Sequence, residues 1–271
     1  MMVTNDGTAA ATVVSDVSNE SGALRARAVT KSFDTTDPPT LVLKGVDLDV
    51  ATGEFVAIMG ASGSGKSTLL YALSGLDRPT DGSVVTSGRD LTSVTEKEAS
   101  RLRLHEMGFV FQQSHFLDNL SIRDNILLPA LKAAGAHDHS VSGRIDGLME
   151  RFGITHIADH GITEASGGQL QRASICRALS VEPSVLFADE PTGALNSSMS
   201  DDVMEAISSV HEDGMTVIMV THDPAVAARA DRVIYLRDGQ LIDTLDLTTI
   251  TDADGRSRED ELQSWLTANG F

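Results

Sequence analysis

Hydrophobic positions along the chain fall into two kinds of run. Phe55–Met59 (FVAIM), residues 185–188 (VLFA) and Thr216–Val220 (TVIMV) are short and continuously apolar, the pattern of strands buried on both faces. Residues 24–33 and 41–50 read as strands of another kind. In the second, Val46, Leu48 and Val50 alternate with Asp47 and Asp49, which predicts a half-buried antiparallel strand. Between the apolar runs lie segments with helical spacing. One spans residues 67–76 and is closed by Gly75. Another opens at Thr95, with Glu98 completing a capping box, and runs to about residue 105. Ser121 caps a third, with Asp124 in its first turn. In the 137–165 region Ile145, Leu148, Met149 and Phe152 keep helical spacing before Gly153. Helices over 169–180 and 198–213 follow, and residues 233–242 read as a hairpin turning at Asp238-Gly239. Strands alternating with helices predict a parallel sheet flanked by helices, preceded by a small antiparallel sheet.

Composition sets limits on this picture. Apolar residues make up 41% of 271, enough for a packed core. Cys176 is the single cysteine, so no internal disulfide framework exists. The net charge is −18, to which residues 1–22 contribute three acids and no base, and residues 243–271 seven acids against two arginines. No basic face of the kind a duplex demands is visible, so no nucleic-acid partner is expected. Residues 1–22 are small and polar and read as a disordered leader, not a signal peptide. No apolar stretch is long enough to span a membrane. A cytoplasmic protein is therefore expected, reaching a membrane only through a partner. Residues 258–266 (REDELQSWL) place Leu262, Trp265 and Leu266 close to helical spacing, a short amphipathic helix expected to dock on its own domain. His137, Asp138 and His139 lack further ligands and read as solvated.

Residues 60–68 read GASGSGKST and match the phosphate-binding pattern G-x-x-x-x-G-K-[ST]. Gly60, Gly63 and Gly65 allow a tight backbone turn, with Ala61, Ser62 and Ser64 between them. Successive N–H groups form an anion nest at a helix N-terminus. Lys66 adds positive charge for the outer phosphates, the Ser67 hydroxyl is placed for Mg²⁺, and Thr68 completes the motif. The strand before and the helix after supply the confirming context. Asp189, ending an apolar strand, is the expected acid facing Mg²⁺, and Glu190 beside it is placed to polarise an attacking water. Ser67, Asp189, Glu190 and His222 all follow strands, so the topology converges them at one sheet edge.

With these motifs in order, the chain resembles the ATP-binding subunits of ABC transporters over roughly residues 24–242. Ser166, Gly167, Gly168 and Gln169, within EASGGQLQRA, are similar to the family's signature sequence. The resemblance implies an α/β fold of the P-loop NTPase type, an ABC nucleotide-binding domain over residues 23–242. It would carry an antiparallel β subdomain and an inserted α-helical subdomain at about 113–180, with residues 243–271 an acidic tail. It implies ATP and Mg²⁺ as cofactors and a head-to-tail dimer with a second ATP-binding subunit, identical or a close paralogue, whose signature helix closes each phosphate loop. It implies a transmembrane permease as partner, with the chain peripheral on the inner face of the cell membrane. Residue by residue, Gln112 resembles the glutamine that touches Mg²⁺ or the attacking water, and His222 the histidine that contacts the γ-phosphate. Phe33 resembles the aromatic that stacks on adenine, and Lys66 and Glu190 take the catalytic positions.

Two positions depart from the family's pattern. Ala165 stands where Leu is common, and Asn196 where Asp is common, so Asn196 is expected to alter communication between the paired sites without abolishing hydrolysis. The stretches around 54–70, 108–129 and 166–179 resemble the branch of macrolide exporters, lipoprotein-releasing ATPases and antimicrobial-peptide resistance pumps. Leu117, Leu120, Ile122 and Leu127 are expected either to grip the permease or to form subdomain core. The rival reading is a soluble ABC ATPase without a permease.

Overall fold

The computed structural model describes residues 22–34, 37–134, 140–250 and 257–271. The leader expected over 1–22 therefore lies outside the described residues except for Gly22, as do His137, Asp138 and His139.

In chain order, β1 (Gly22–Phe33) and β2 (Thr40–Ala51) precede β3 (Phe55–Met59) and α1 (Lys66–Leu73). Next come β4 (Asp81–Thr86), β5 (Arg89–Asp90), α2 (Glu96–Glu106) and β6 (Met107–Phe111). Then follow α3 (Ile122–Ala134), α4 (Ser140–Arg151), α5 (Gly167–Leu179), β7 (Val185–Asp189), α6 (Ser197–Glu212) and β8 (Thr216–Val220). The short α7 (Pro224–Ala227), the hairpin β9 (Arg232–Arg237) and β10 (Gln240–Asp246), and α8 (Arg258–Ala268) complete the strands and α-helices of the described residues. One sheet is antiparallel, ordered β2-β1-β4-β5; the other is ordered β10-β9-β3-β8-β7-β6. In the second, every neighbouring pair is parallel except β10 with β9.

β3 explains how the two layers are joined. Its five residues are all buried, and alternate ones serve different cores. Val56 and Ile58 pack with Leu69, Leu70 and Leu73 of α1 and with Val46, Leu48 and Val50 of β2. Phe55, Ala57 and Met59 belong to the opposite cluster, with Ile175, Val203 and Ile207. α1 is thus held between the two sheets, and the loop that opens it is fixed from both sides. The Asp47 and Asp49 side of β2 is exposed, as its alternation predicts. α1 stops at Leu73, short of the predicted residue 76. Ser74 N–H closes on Leu70 O and Gly75 takes a left-handed φ of 65°, which ends the helix.

The helical insert packs Ile122, Ile126, Val141, Ile145 and Met149 into the same core as β3's outer face. The residues weighed as permease grip therefore divide. Ile122 is fully buried and Leu127 packs on the core, whereas Leu117 stays 49% exposed. α2 opens with the capping box expected of Thr95 and Glu98. The acidic C-terminal segment folds back onto the domain as α8. Leu262 and Leu266 are fully buried there, and Trp265 meets Tyr235 edge to face at 6.2 Å. Trp265 Nε1 also donates to Asp243 Oδ2 at 2.8 Å, tying the helix to the hairpin.

Candidate nucleotide-binding site

The site is built at the C-terminal ends of β3, β7 and β8. β3 ends at Met59 and the chain turns at Gly60, where a methyl group would stand 2.1 Å from Leu236 O of β9. Only glycine fits so close to a neighbouring backbone. Gly239 N–H donates to Ser64 O at 3.0 Å, so the hairpin turn braces the loop. Residues 60–63 and 65–68 line a cavity of about 640 Å³ together with Glu190, His222 and Phe271. Ser64 lies beneath; its Oγ is buried and has no hydrogen-bond partner.

Lys66 Nζ donates to Gly60 O at 2.9 Å and to Ala61 O at 3.0 Å, its own loop's carbonyls. Burial lowers its pKa, an effect that Glu190 and Asp189 oppose. Ser67 Oγ donates to Asp189 Oδ1 at 2.9 Å, which joins the loop to the end of β7. Tyr71 OH donates to the other oxygen, Oδ2, at 2.7 Å, and its pKa is pushed up to about 12 by burial and by this bond.

Glu190 N–H donates to Val220 O at 2.9 Å, which fastens the residue to the end of β8. Its φ of 47° is a strained conformation for a non-glycine residue. Its Oε2 lies 2.8 Å from His222 Nδ1. His222 itself is 63% exposed, so its ring stands at the open side of the cavity. A methyl group at Gly193 would lie 2.9 Å from Gln112 Nε2 and 3.1 Å from Glu190 Oε2, so amide and carboxylate converge on that glycine. The structure therefore brings together the loop, Ser67, Asp189, Glu190, His222 and Gln112.

Other predicted residues stand apart. Phe33 ends β1 opposite Thr40, under Lys31 Nζ at 5.1 Å, and does not line the cavity. Residues 166–169 do not line it either. They begin α5, where Ser166 Oγ accepts from Gln169 N–H and Gln169 Oε1 accepts from Ser166 N–H at 2.8 Å. This capping box leaves an exposed helix N-terminus with its partial positive charge. Asn196 caps α6, its Oδ1 accepting from Met199 N–H at 3.0 Å.

Sequence reasoning missed Tyr71 and Phe271. Tyr71 had a readable signal, because it lies four residues after Ser67 and so shares its helix face. Phe271 had none: it reaches the cavity only because α8 folds back.

A cation fits these residues. Ser67 and Asp189 offer hard oxygen donors, and Asp189 is only 7% exposed. Among the described residues no group of three or more His, Cys, Asp or Glu is placed to hold a metal. A Mg²⁺ bound here would therefore take its remaining ligands from water and phosphate oxygens, its usual preference.

A phosphate loop opening a helix between two sheets, with an acid pair at the end of β7 in the same sheet as β3, defines a P-loop nucleotide-binding protein. The ABC transporter family model matches residues 43–193. The chain is 44% identical over 227 residues to the macrolide export ATP-binding/permease protein MacB of Rhodopseudomonas palustris, covering 84% of this chain and 34% of that protein. It is 43% identical over 219 residues to the bacitracin export ATP-binding protein BceA of Halalkalibacterium halodurans, covering 80% and 86%. Among solved structures, the ATP-binding cassette MJ0796, a dimer in a post-hydrolysis state bound to ADP and Pi, is similar with a TM-score of 0.77. Identity there is 36%, over 83% of this chain and 98% of that one. The chain belongs to the ABC transporter family, as an ATP-binding domain. It spans about a third of the length of the MacB proteins it matches. Among its described residues, no helix is long and apolar enough to cross a membrane.

Proposed function

We propose that this chain binds Mg-ATP, pairs with a second ATP-binding subunit and hydrolyses ATP to energise a membrane permease. The observation that carries the reading is the Glu190–His222 pair standing at the wall of the phosphate-loop cavity. The loop amides and the N-terminus of α1 bind the phosphates. Lys66 exchanges its two carbonyl partners for phosphate oxygens. Ser67 and Asp189 hold the cation, which when bound neutralises charge on the phosphates. Glu190 accepts the proton of the attacking water, Gln112 helps to orient that water, and His222 steadies both Glu190 and the γ-phosphate.

The separation of residues 166–169 from the cavity supports a paired arrangement. The exposed N-terminus of α5 is an end that favours an anion. In the dimer it closes the partner's phosphate loop; the dimeric state of MJ0796, a cassette 36% identical, supports pairing. For the permease we assign the groove of about 400 Å³ that includes Leu76, Leu104, Phe109, Phe111, Pro129 and Val181. The names of the relatives support the same partner: the MacB proteins are ATP-binding/permease proteins. The work done is export, extraction or mechanical transmission across the cell envelope, with this chain on the cytoplasmic face.

Glu190→Gln tests the assignment. It keeps shape and removes the base, so hydrolysis should fall by about 10²-fold or more while ATP binding persists. Sedimentation should show a stable dimer with ATP and a monomer without it. Hydrolysis at the full rate would remove Glu190 from its role.

A further inference from the structure

α1 brings two hydroxyls to one carboxylate. Ser67 and Tyr71 are a helical turn apart and share a face. Ser67 Oγ donates to Asp189 Oδ1 at 2.9 Å, and Tyr71 OH to Asp189 Oδ2 at 2.7 Å. Each oxygen of a buried carboxylate thus has its own donor. Ser67 is part of the phosphate loop. Tyr71 lies beyond the motif and does not line the cavity, so it has no place among the groups that touch the nucleotide.

What Tyr71 does to Asp189 follows from torsional freedom. The terminal torsion of an aspartate is broad, and one hydrogen bond leaves the carboxylate free to turn about it. A second donor on the other oxygen fixes the plane. Mg²⁺ demands near-octahedral geometry and is sensitive to that plane. Groups that orient a ligand from behind typically change metal affinity by about 10–100-fold when removed.

We propose that Tyr71 is a positioning residue for the divalent cation: its hydroxyl holds the Asp189 carboxylate so that Oδ1 faces the cation beside Ser67. This rests on the reading of Ser67 and Asp189 as the cation-facing pair. The competing role is a simple tether between α1 and β7, which would lower stability without selecting for cation.

Tyr71→Phe removes the hydroxyl and keeps the ring. The readout is equilibrium binding of a fluorescent ATP analogue, mant-ATP, to the full chain in EDTA and across a Mg²⁺ titration. It needs no turnover. Affinity in EDTA should stay within about twofold of the unaltered chain, while the Mg²⁺ concentration that half-saturates the tightening of binding should rise about tenfold. Tyr71→Leu, also lacking a donor, should shift it equally and serves if the Phe variant folds poorly. 4-Aminophenylalanine at position 71 restores a donor on the same ring and should return the midpoint to within about threefold. A Mg²⁺ midpoint unchanged by either Phe or Leu, with only the melting temperature lowered, overturns the proposal in favour of the tether. Asp189→Asn separates the two levels. If it leaves the Mg²⁺ dependence intact, the cation pair itself is wrong.

Discussion

Gly193 sits where Gln112 and Glu190 meet, and its missing side chain is the space they occupy. Gly193→Ala places a methyl group 2.9 Å from Gln112 Nε2 and 3.1 Å from Glu190 Oε2. Non-bonded atoms settle at about 3.5–4.0 Å, so the amide must retreat by about 0.6 Å and the carboxylate by about 0.4 Å. The amide is the flexible end of an exposed side chain and moves at little cost. The carboxylate is held by a strained backbone and by its 2.8 Å contact with His222, so displacing it pulls that pair apart. Misplacing a reacting group by about 1 Å can cost 10²-fold in rate. The expected loss in kcat is therefore about 10–100-fold, or about 1.4–2.7 kcal/mol of barrier. Nothing in the phosphate loop is touched, so binding of mant-ATP should stay within about twofold, equivalent to 0.4 kcal/mol. Steady-state phosphate release gives kcat, fluorescence gives binding, and a thermal melt confirms that the fold is retained. A kcat within about twofold of the unaltered chain would refute the convergence of Gln112 and Glu190 on this position.

Two further outcomes rest on other parts of the molecule. Leu262→Ala empties a fully buried position under α8 and should cost about 2–5 kcal/mol, read from the urea midpoint. Because Phe271 follows the same helix, the variant should also change the KM for ATP; a change in stability with KM untouched would separate α8 from the cavity. Asn196→Asp keeps the cap on α6, since Asn and Asp serve equally there, so stability should move by less than about 0.5 kcal/mol. ATPase rate or cooperativity should nonetheless change, through the added charge; if both stay the same, Asn196 is a helix cap and nothing more.

The residues legible in the sequence are those whose chemistry is carried by local order. The phosphate loop, the acid pair at the end of β7 and the Ser166–Gln169 signature segment each depend on fixed spacing within a few residues, and spacing survives in one dimension. Burial does not. Ile122 and Leu117 lie five residues apart in similar company, yet Ile122 enters the core and Leu117 stays exposed, because only packing of the insert against β3 distinguishes them. Phe271 is the extreme case, brought from the far end of the chain to the mouth of the cavity by two buried leucines.

Distance also bears on the signature segment, which lies outside the cavity. Ser166 and Gln169 satisfy each other, and Gly167 and Gly168 leave room for Leu195 and Met199, which a methyl at either position would approach to 3.2 Å. The helix end is thus complete within its own chain except for the charge its dipole favours. The phosphate loop, conversely, has an open side where His222 stands exposed. One surface favours an anion and the other is open. Both belong to every copy, and a two-fold pairing that sets each against the other would satisfy both with a single self-complementary contact. The proposed pairing rests on these two surfaces. It predicts that Ser166→Glu, which puts a negative charge at the α5 end, suppresses ATP-dependent dimerisation while leaving mant-ATP binding to the monomer within about twofold. Sedimentation with the Glu190→Gln background, where the dimer should persist, is the assay. A dimer of undiminished stability would mean that the α5 end does not face the bound phosphates.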